Sequence, residues 1–311
     1  MDDTLTAQEF AALQRLTPAQ AVAYLQRRSK ITLTYGWQDL WQDEHAQQFT
    51  ISRLARADLL QAVQDQITKS VQGDLSRRDF LKDIKKLLQD EGWWGQQEVI
   101  EPATGEILKT TFNPTRLKLI FDTNTRMAAA AGQWESIERT QRSHPYVRYI
   151  TQRDDKVRPA HKAWDNVVLP VGHTFWHTHT PPNGWRCRCR IVAVSQREYD
   201  QGYSLQRPGV EFDQYDKDGK RTKVADLVKV PFKKDAPDVI MRDWLDKRSG
   251  QVRSIPAGID PGFGYNPGMA RAREQSQMVD DKLAALSPAI ASAARAAGLT
   301  TKGEADDHGD R

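Results

Sequence analysis

Residues 154–190 hold four of the chain's seven histidines (His161, His173, His177 and His179) and both of its cysteines, Cys187 and Cys189. A chain this poor in soft and borderline ligands that gathers most of them in one window restricts what the window can become. It closes as a metal site, as a hydrogen-bonded knot, or as a surface that meets phosphate. Zinc takes four nitrogen or sulfur ligands in a tetrahedron. Cys187 and Cys189 supply two, and His161 with one of His177 or His179 completes the set. The Cys-x-Cys spacing is tighter than the usual Cys-x-x-Cys, but an extended strand turns both side chains to one face. A disulfide at this spacing is strained. In the knot, histidines anchor loop carbonyls and the cysteines pack as small apolar groups.

Two further chemistries fit the same residues. His177-Thr178-His179 beside Asp154, Asp155 and Asp165 could hold a catalytic metal or supply a general base, as a hydrolase or nuclease needs. A Cys nucleophile with a His base is also available. No Gly-framed nucleophile elbow, His-Glu-x-x-His or phosphate-cradling glycine loop accompanies them, so the sequence favours a non-enzyme. The window is also basic. Arg186, Arg188 and Arg190 alternate with the cysteines, and Arg153 and Arg158 precede them. Such a row suits phosphate or an acidic protein surface, and a free-standing nucleic-acid-binding protein is the corresponding alternative. The whole-chain charge of +4 decides nothing here.

At 311 residues with 39% hydrophobic content, the chain has room for two modest domains or one domain with extensions. No stretch approaches the ~20 apolar residues of a membrane span, and the start, Met1-Asp2-Asp3-Thr4, is acidic; a cytosolic protein with no membrane contact is expected.

Residues 1–143 read as a helical N-terminal region. Thr17-Pro18 starts a helix. Leu60, Val63, Ile67 and Val71 recur at helical spacing up to Gly73. Ser76 caps a helix whose buried stripe is Phe80, Ile84, Leu87 and Leu88, and Gly92 stops it. Residues 96–113 read as a hairpin or loop turning at Thr104-Gly105. Pro114 opens a long helix with Leu117, Ile120, Phe121 and Met127 on its apolar side. From His144-Pro145 the pattern changes to short strands at 146–151 and 191–194, with 152–190 irregular between them. A hairpin over 211–230 turns at 216–220. A short helix at 238–246, an extended Pro/Gly-rich surface arm at 255–268, a helix from Asn266-Pro267 to about 286 and an Ala-rich helix from Ser287-Pro288 follow. Residues 300–311 read as a disordered tail.

The run Arg153-Asp154-Asp155-Lys156-Val157-Arg158-Pro159-Ala160-His161, then Leu169-Pro170, Phe175-Trp176, and Pro181-Pro182-Asn183-Gly184-Trp185-Arg186-Cys187-Arg188-Cys189-Arg190, resembles the phage Mu F-like minor head protein family. Flanking segments share the resemblance: 37–49 with His45, Gly92-Trp93-Trp94-Gly95, 114–132, and Asp260-Pro261-Gly262-Phe263 with Tyr265-Asn266-Pro267-Gly268. Related branches carry Cys-x-x-Cys where this chain has Arg158 and His161. That leaves His161, Cys187, Cys189 and a histidine such as His179 to hold a structural zinc. Asp165-Asn166 replaces the family's Asp-Gly, and Asn also tolerates a left-handed turn. The resemblance implies a minor capsid protein of a tailed phage or prophage, acting near the portal during procapsid assembly. Its partners would be the portal and the major capsid or scaffold proteins, with packaged DNA a further contact. It would reside in the virion head, and in the host cytoplasm during assembly. The expected fold is α+β: a helical region over 1–143, a β-containing Mu F-like module over 144–235, and a C-terminal arm with helices over 236–299.

Overall fold

Caps and apolar spacing set the N-terminal helices. The computed structural model describes residues 18–206, 214–215, 221–223 and 228–270, and positions 287, 290 and 292. Pro18 opens helix α1 (Pro18–Arg27), where its missing N–H costs nothing. A parallel pair follows, β1 (Lys30–Ile31) with β2 (Gln48–Phe49), enclosing the single turn α2 (Glu44–Gln47). Helix α3 (Ala57–Gln72) buries Leu59, Leu60, Val63 and Ile67 and ends at Gly73, whose φ of 94° suits glycine. Buried Gln64 donates to the Leu25 and Arg28 carbonyls at 3.0 and 2.8 Å, closing the open end of α1. Ser76 Oγ accepts the Asp79 N–H at 3.1 Å to start α4 (Arg77–Asp90), which buries Phe80, Ile84 and Leu88. The hairpin is β3 (Gly95–Ile100) against β4 (Ile107–Phe112).

Helix α5 (Pro114–Arg139) starts where Asn113 Oδ1 accepts the Arg116 N–H at 2.9 Å. It buries residues around much of its circumference, from Leu117 and Phe121 to Ala128, Ala131, Trp134 and Ile137, as a helix inside a core does. Gly132 lets α1 approach: a Cβ there would lie 3.1 Å from the Ala21 backbone nitrogen.

Strand β5 (Tyr146–Ile150) is the centre of a three-stranded antiparallel sheet. It lies between β6 (Val168–Pro170) and β7 (Arg190–Val194). The stretch 152–190, irregular by sequence, contains two short helices, α6 (Pro159–Trp164) and α7 (Phe175–His179). After β7, Ser195 caps α8 (Gln196–Gln201). Strand β8 (Tyr203–Gln206) then precedes the expected hairpin pair, β9 (Gln214–Tyr215) with β10 (Arg221–Lys223). The hairpin's turn at 216–220 lies outside the described residues. Strand β11 (Val228–Pro231) returns to pair with β8. Asn166, at φ 67°, ties this pair to the sheet by donating to the Val230 and Pro231 carbonyls at 3.1 and 2.6 Å.

Two C-terminal expectations are corrected. The segment 238–246 is not a helix: β12 (Met241–Leu245) pairs antiparallel with β13 (Val252–Pro256). Its local composition allows either state, and a partner strand selects the extended one. Nor is 255–268 a surface arm. Ile255, Ile259, Phe263 and Tyr265 are buried in the core. Its glycines mark close packing: a Cβ on Gly258 would strike Ala160, and one on Gly268 would strike the Trp134 side chain. Asn266 Oδ1 accepts the Gly268 and Met269 N–H groups at 3.0 and 3.4 Å, a capping contact at the point where the next helix is expected to begin. The Thr17 cap, most of that helix up to 286, most of the Ala-rich helix from Ser287-Pro288, and 300–311 lie outside the described residues. The buried apolar side chains form one contiguous cluster that includes both Ala21 and Ala270. It crosses the composition change near residue 143.

Two outcomes follow. Gly268→Ala should lower stability by about 1–3 kcal/mol, because the added methyl has no room beside Trp134; urea unfolding reads the loss. Burial, and then Arg28, hold the His45 imidazole down to about 4. As pH falls from about 6.5 to about 4, the unfolded chain takes up a proton that the native chain refuses. The contribution of His45 to stability should therefore fall across that window, by at most about 1.4 kcal/mol per pH unit. His45→Gln should make the slope shallower in pH-dependent denaturation.

Candidate metal centre

Cys187 and Cys189 lie in the extended run that leads into β7, and both side chains turn to the same side. Arg188 between them reaches Asp154 with two hydrogen bonds of 2.6 and 2.8 Å. Helix α6 brings in His161, whose Nδ1 is 3.7 Å from Cys187 Sγ and 3.5 Å from Cys189 Sγ. Its Nε2 lies 2.9 Å from the Gly258 carbonyl. A carbonyl only accepts, so Nε2 carries the proton, and in the neutral ring the Nδ1 lone pair faces the sulfurs. The ring stacks on Trp164 at 4.9 Å, which fixes its plane.

The three ligand atoms all lie within 4.8 Å of one another. Zinc bound to nitrogen at ~2.05 Å and sulfur at ~2.3 Å in a tetrahedron sets an N···S edge of about 3.6 Å. The two observed N···S separations bracket that edge, so the donor set fits a zinc-like ion. The thiols are also unequal. The hydrogen bond from Cys189, and then His161, pull the Cys187 thiol well down against the cost of burial. The Cys187 sulfur and burial push Cys189 up. One sulfur thus ionises first, and a cation among the three atoms would relieve the repulsion that holds the second proton in place.

His179 lies apart from this group. It shares a hydrogen bond with Thr178 Oγ1 at 2.8 Å, stacks on Phe175 at 4.2 Å and meets Trp164 edge-on. Burial pulls its imidazole down to about 4. His173 Nδ1 accepts the Phe175 N–H at 3.1 Å at the start of α7, and His177 is half-buried. Among the described residues no fourth His, Cys, Asp or Glu joins the three. A cleft of about 40 Å³ borders them, lined also by Gln152, Lys156, Arg158 and Arg186.

Two of the three carboxylates nominated for a hydrolase are already engaged, and the third, Asp155, is exposed. Asp154 is paired with Arg188, and Asp165 accepts from Thr151 N–H, Thr151 Oγ1 and Arg153 at 2.7, 3.1 and 3.0 Å. The arginines nominated for phosphate are largely committed too. Arg153 pairs with Asp165, Arg158 with Asp260 at 3.0 Å, and Arg188 with Asp154. Arg186 and Arg190 are exposed.

Several supporting residues had no part in the sequence reading of the site. Asp260 Oδ2 accepts from Arg158 at 3.0 Å and from the Trp185 N–H at 2.9 Å, clamping the segment that leads to Cys187. Asn183 is fully buried, accepts from Tyr149 Oη at 2.8 Å, and gives its carbonyl to the Asp260 N–H at 3.0 Å. The one available signal was that Asn183 and Asp260 both fall in the runs that carry the family resemblance.

Residues 61–192, which include the whole Cys/His group, match the family described as Phage Mu protein F like protein. A protein of Escherichia phage Mu with the provisional name capsid assembly protein F is 30% identical over 263 residues, covering 84% of this chain and 56% of that protein. The Mu-like prophage FluMu F protein of Haemophilus influenzae is 25% identical over 240 residues, 77% of this chain and 54% of the relative. The chain therefore spans about half the length of the curated relatives it matches. No solved structure matches it. Both relatives are phage or prophage proteins of one kind. These findings support the Mu F-like family, which residues 61–192 match directly.

Asp260→Ala should destabilise the protein by about 1–3 kcal/mol, since it strands the Arg158 charge and the Trp185 N–H together. Asp260→Asn, which keeps an acceptor oxygen, should lose less. Equal losses in chemical denaturation would show that the clamp does not depend on charge.

Proposed function

We propose that this chain helps to build the head of a tailed phage or prophage, as a minor component of the procapsid near the portal. The observation that supports this is the match of 84% of the chain to a protein named for capsid assembly. Its work there is binding. Portal and major capsid or scaffold proteins are the partners, in the host cytoplasm during assembly and in the virion head afterwards. Large apolar side chains stand exposed between 239 and 252, with Ile240 at 69% and Val252 at 64%, and such a group suits contact with another protein. Among the described residues no helix is long and apolar enough to cross a membrane. Contact with packaged DNA would fall first to Arg186 and Arg190, the two nominated arginines that are exposed.

The Cys/His group serves this role as a structural zinc site, with His161, Cys187 and Cys189 as ligands. The ion would fix the run into β7 against α6 and supply cohesion rather than turnover. Protein purified without chelator should carry about one zinc per chain by mass spectrometry. Cys187→Ser combined with Cys189→Ser should remove the zinc and lower the melting temperature. A zinc-free wild type that melts like the double variant would defeat the zinc assignment.

Deleting the gene from its phage or prophage should abolish DNA-filled heads while tails still form, and supplying the gene in trans should restore them. Normal heads without it, counted by electron microscopy, would overturn the assembly role.

A further inference from the structure

Arg28 is a buried cation and Arg116 a half-buried one, and among the described residues neither meets an anion. Arg28 is 5% exposed and donates to the Gln48 carbonyl at 3.2 Å and to Asn124 Oδ1 at 2.6 Å. Arg116 donates to Thr110 Oγ1 and to the Ser52 and Thr111 carbonyls. All these acceptors are neutral, and among the described residues neither guanidinium has a carboxylate partner. A guanidinium carries five N–H groups, so each keeps donors to spare. Phe49, 5.1 Å from Arg28, and Phe112, 4.1 Å from Arg116, give only the weaker compensation of an aromatic face. Burial pulls Arg116 down to about 10, which leaves it charged at neutral pH. Charges shielded from water normally find a counter-charge, and among the described residues these two lack one.

Arg28 and Arg116 both line a single cavity of about 280 Å³. Trp37, Ile120, Met127, Trp185 and Phe263 supply apolar lining, and among the described residues no Asp or Glu lines it. The Tyr24 and Tyr265 hydroxyls also border it and face one another, and neither makes a hydrogen bond of good geometry. Trp185, 40% exposed, marks a side that reaches the surface. The cavity is assembled from α1, the 34–52 segment, α5, Trp185 two residues before the Cys-x-Cys run, and residues 261–265 of the buried 255–268 strap. Four of the segments that resemble the Mu F-like family, 37–49, 114–132, 181–190 and 260–268, therefore meet at one hollow.

We propose that this cavity binds a carboxylate carried beside a large apolar side chain, presented by a peptide segment of another protein. The guanidinia supply charge-assisted hydrogen bonds and the aromatic walls take the side chain. A bare inorganic anion would satisfy the charge and leave the apolar walls unfilled. At about 280 Å³ the space suits one or two residues. The proposal does not depend on the assembly role.

Three probes separate the sources of the carboxylate: N-acetyl-Leu-Phe with a free terminus, N-acetyl-Asp-Phe-amide with a side-chain carboxylate, and N-acetyl-Leu-Phe-amide with none. Calorimetry, checked by the tryptophan fluorescence of the full chain, should show at least one carboxylate probe binding about tenfold or more tighter than the neutral one. Arg28→Gln should erase that preference. Thr123→Trp should fill the cavity and abolish binding while leaving both guanidinia in place, so it tests the site even if Arg28→Gln fails to fold. Equal binding of all three probes would overturn the proposal. So would no binding up to about 10 mM, inorganic phosphate binding as well as the dipeptides, or an unaffected Thr123→Trp.

Discussion

The hydrogen bond from His161 Nε2 to the Gly258 carbonyl joins parts of the chain 97 positions apart. It sets the tautomer of the imidazole and so aims Nδ1 at the two sulfurs. The carbonyl belongs to the buried strap, whose path between α6 and α5 leaves no room for a side chain at Gly258 or Gly268. Ligand geometry at the Cys/His group is thus inherited from core packing. A loop carrying the same three residues without the strap would hold neither the ring plane nor its protonation state.

Around this link the buried polar groups are spent on connections rather than left to solvent. Gln64 finishes α1, Asn166 fastens the β8–β11 pair to the sheet, Asn183 joins β5 to the strap, and Asn266 both starts a helix turn and donates to the Trp176 carbonyl at 3.2 Å. Each amide meets two or more polar groups at once, so losing one would strand several groups together. The C-terminal hairpin is fastened differently. Trp244 packs against Trp37 and Trp41 at 5.5 and 5.6 Å, and Arg248 pairs with Asp39 at 2.7 Å.

Features set by neighbouring residues were legible in the sequence. Ser76 and Gly73 bound their helices, the 95–112 hairpin turns at its glycine, and the Cys-x-Cys run places both thiols on one side. Asn166 takes the left-handed turn expected of it. Features set by distant partners were not legible. Strand β12 depends on β13, and nothing local in 238–246 reveals that pairing. The strap was mistaken for an arm because Pro and Gly accompany both exposed loops and tight backbone approaches. Arg158 read as a phosphate contact because its carboxylate, Asp260, lies 102 positions away. His179 was nominated by its place in the window, yet the turns of α7 direct it to Phe175 and Thr178 instead.

The strap has a further consequence, in time rather than space. Trp134 and Trp176 share one buried cluster with Leu25 and Leu60 and with Phe263, Tyr265 and Ala270, so that cluster is complete only once the last three have been made. A ribosome adds about 5–20 residues per second, so more than a hundred residues after Trp134 must emerge first, which takes roughly ten seconds. During that interval the long helix can form, but its apolar flank stays open to whatever else is in the cell. Completion of the core is therefore paced by translation, and the nascent chain is most open to chaperones or early partners just before the strap arrives.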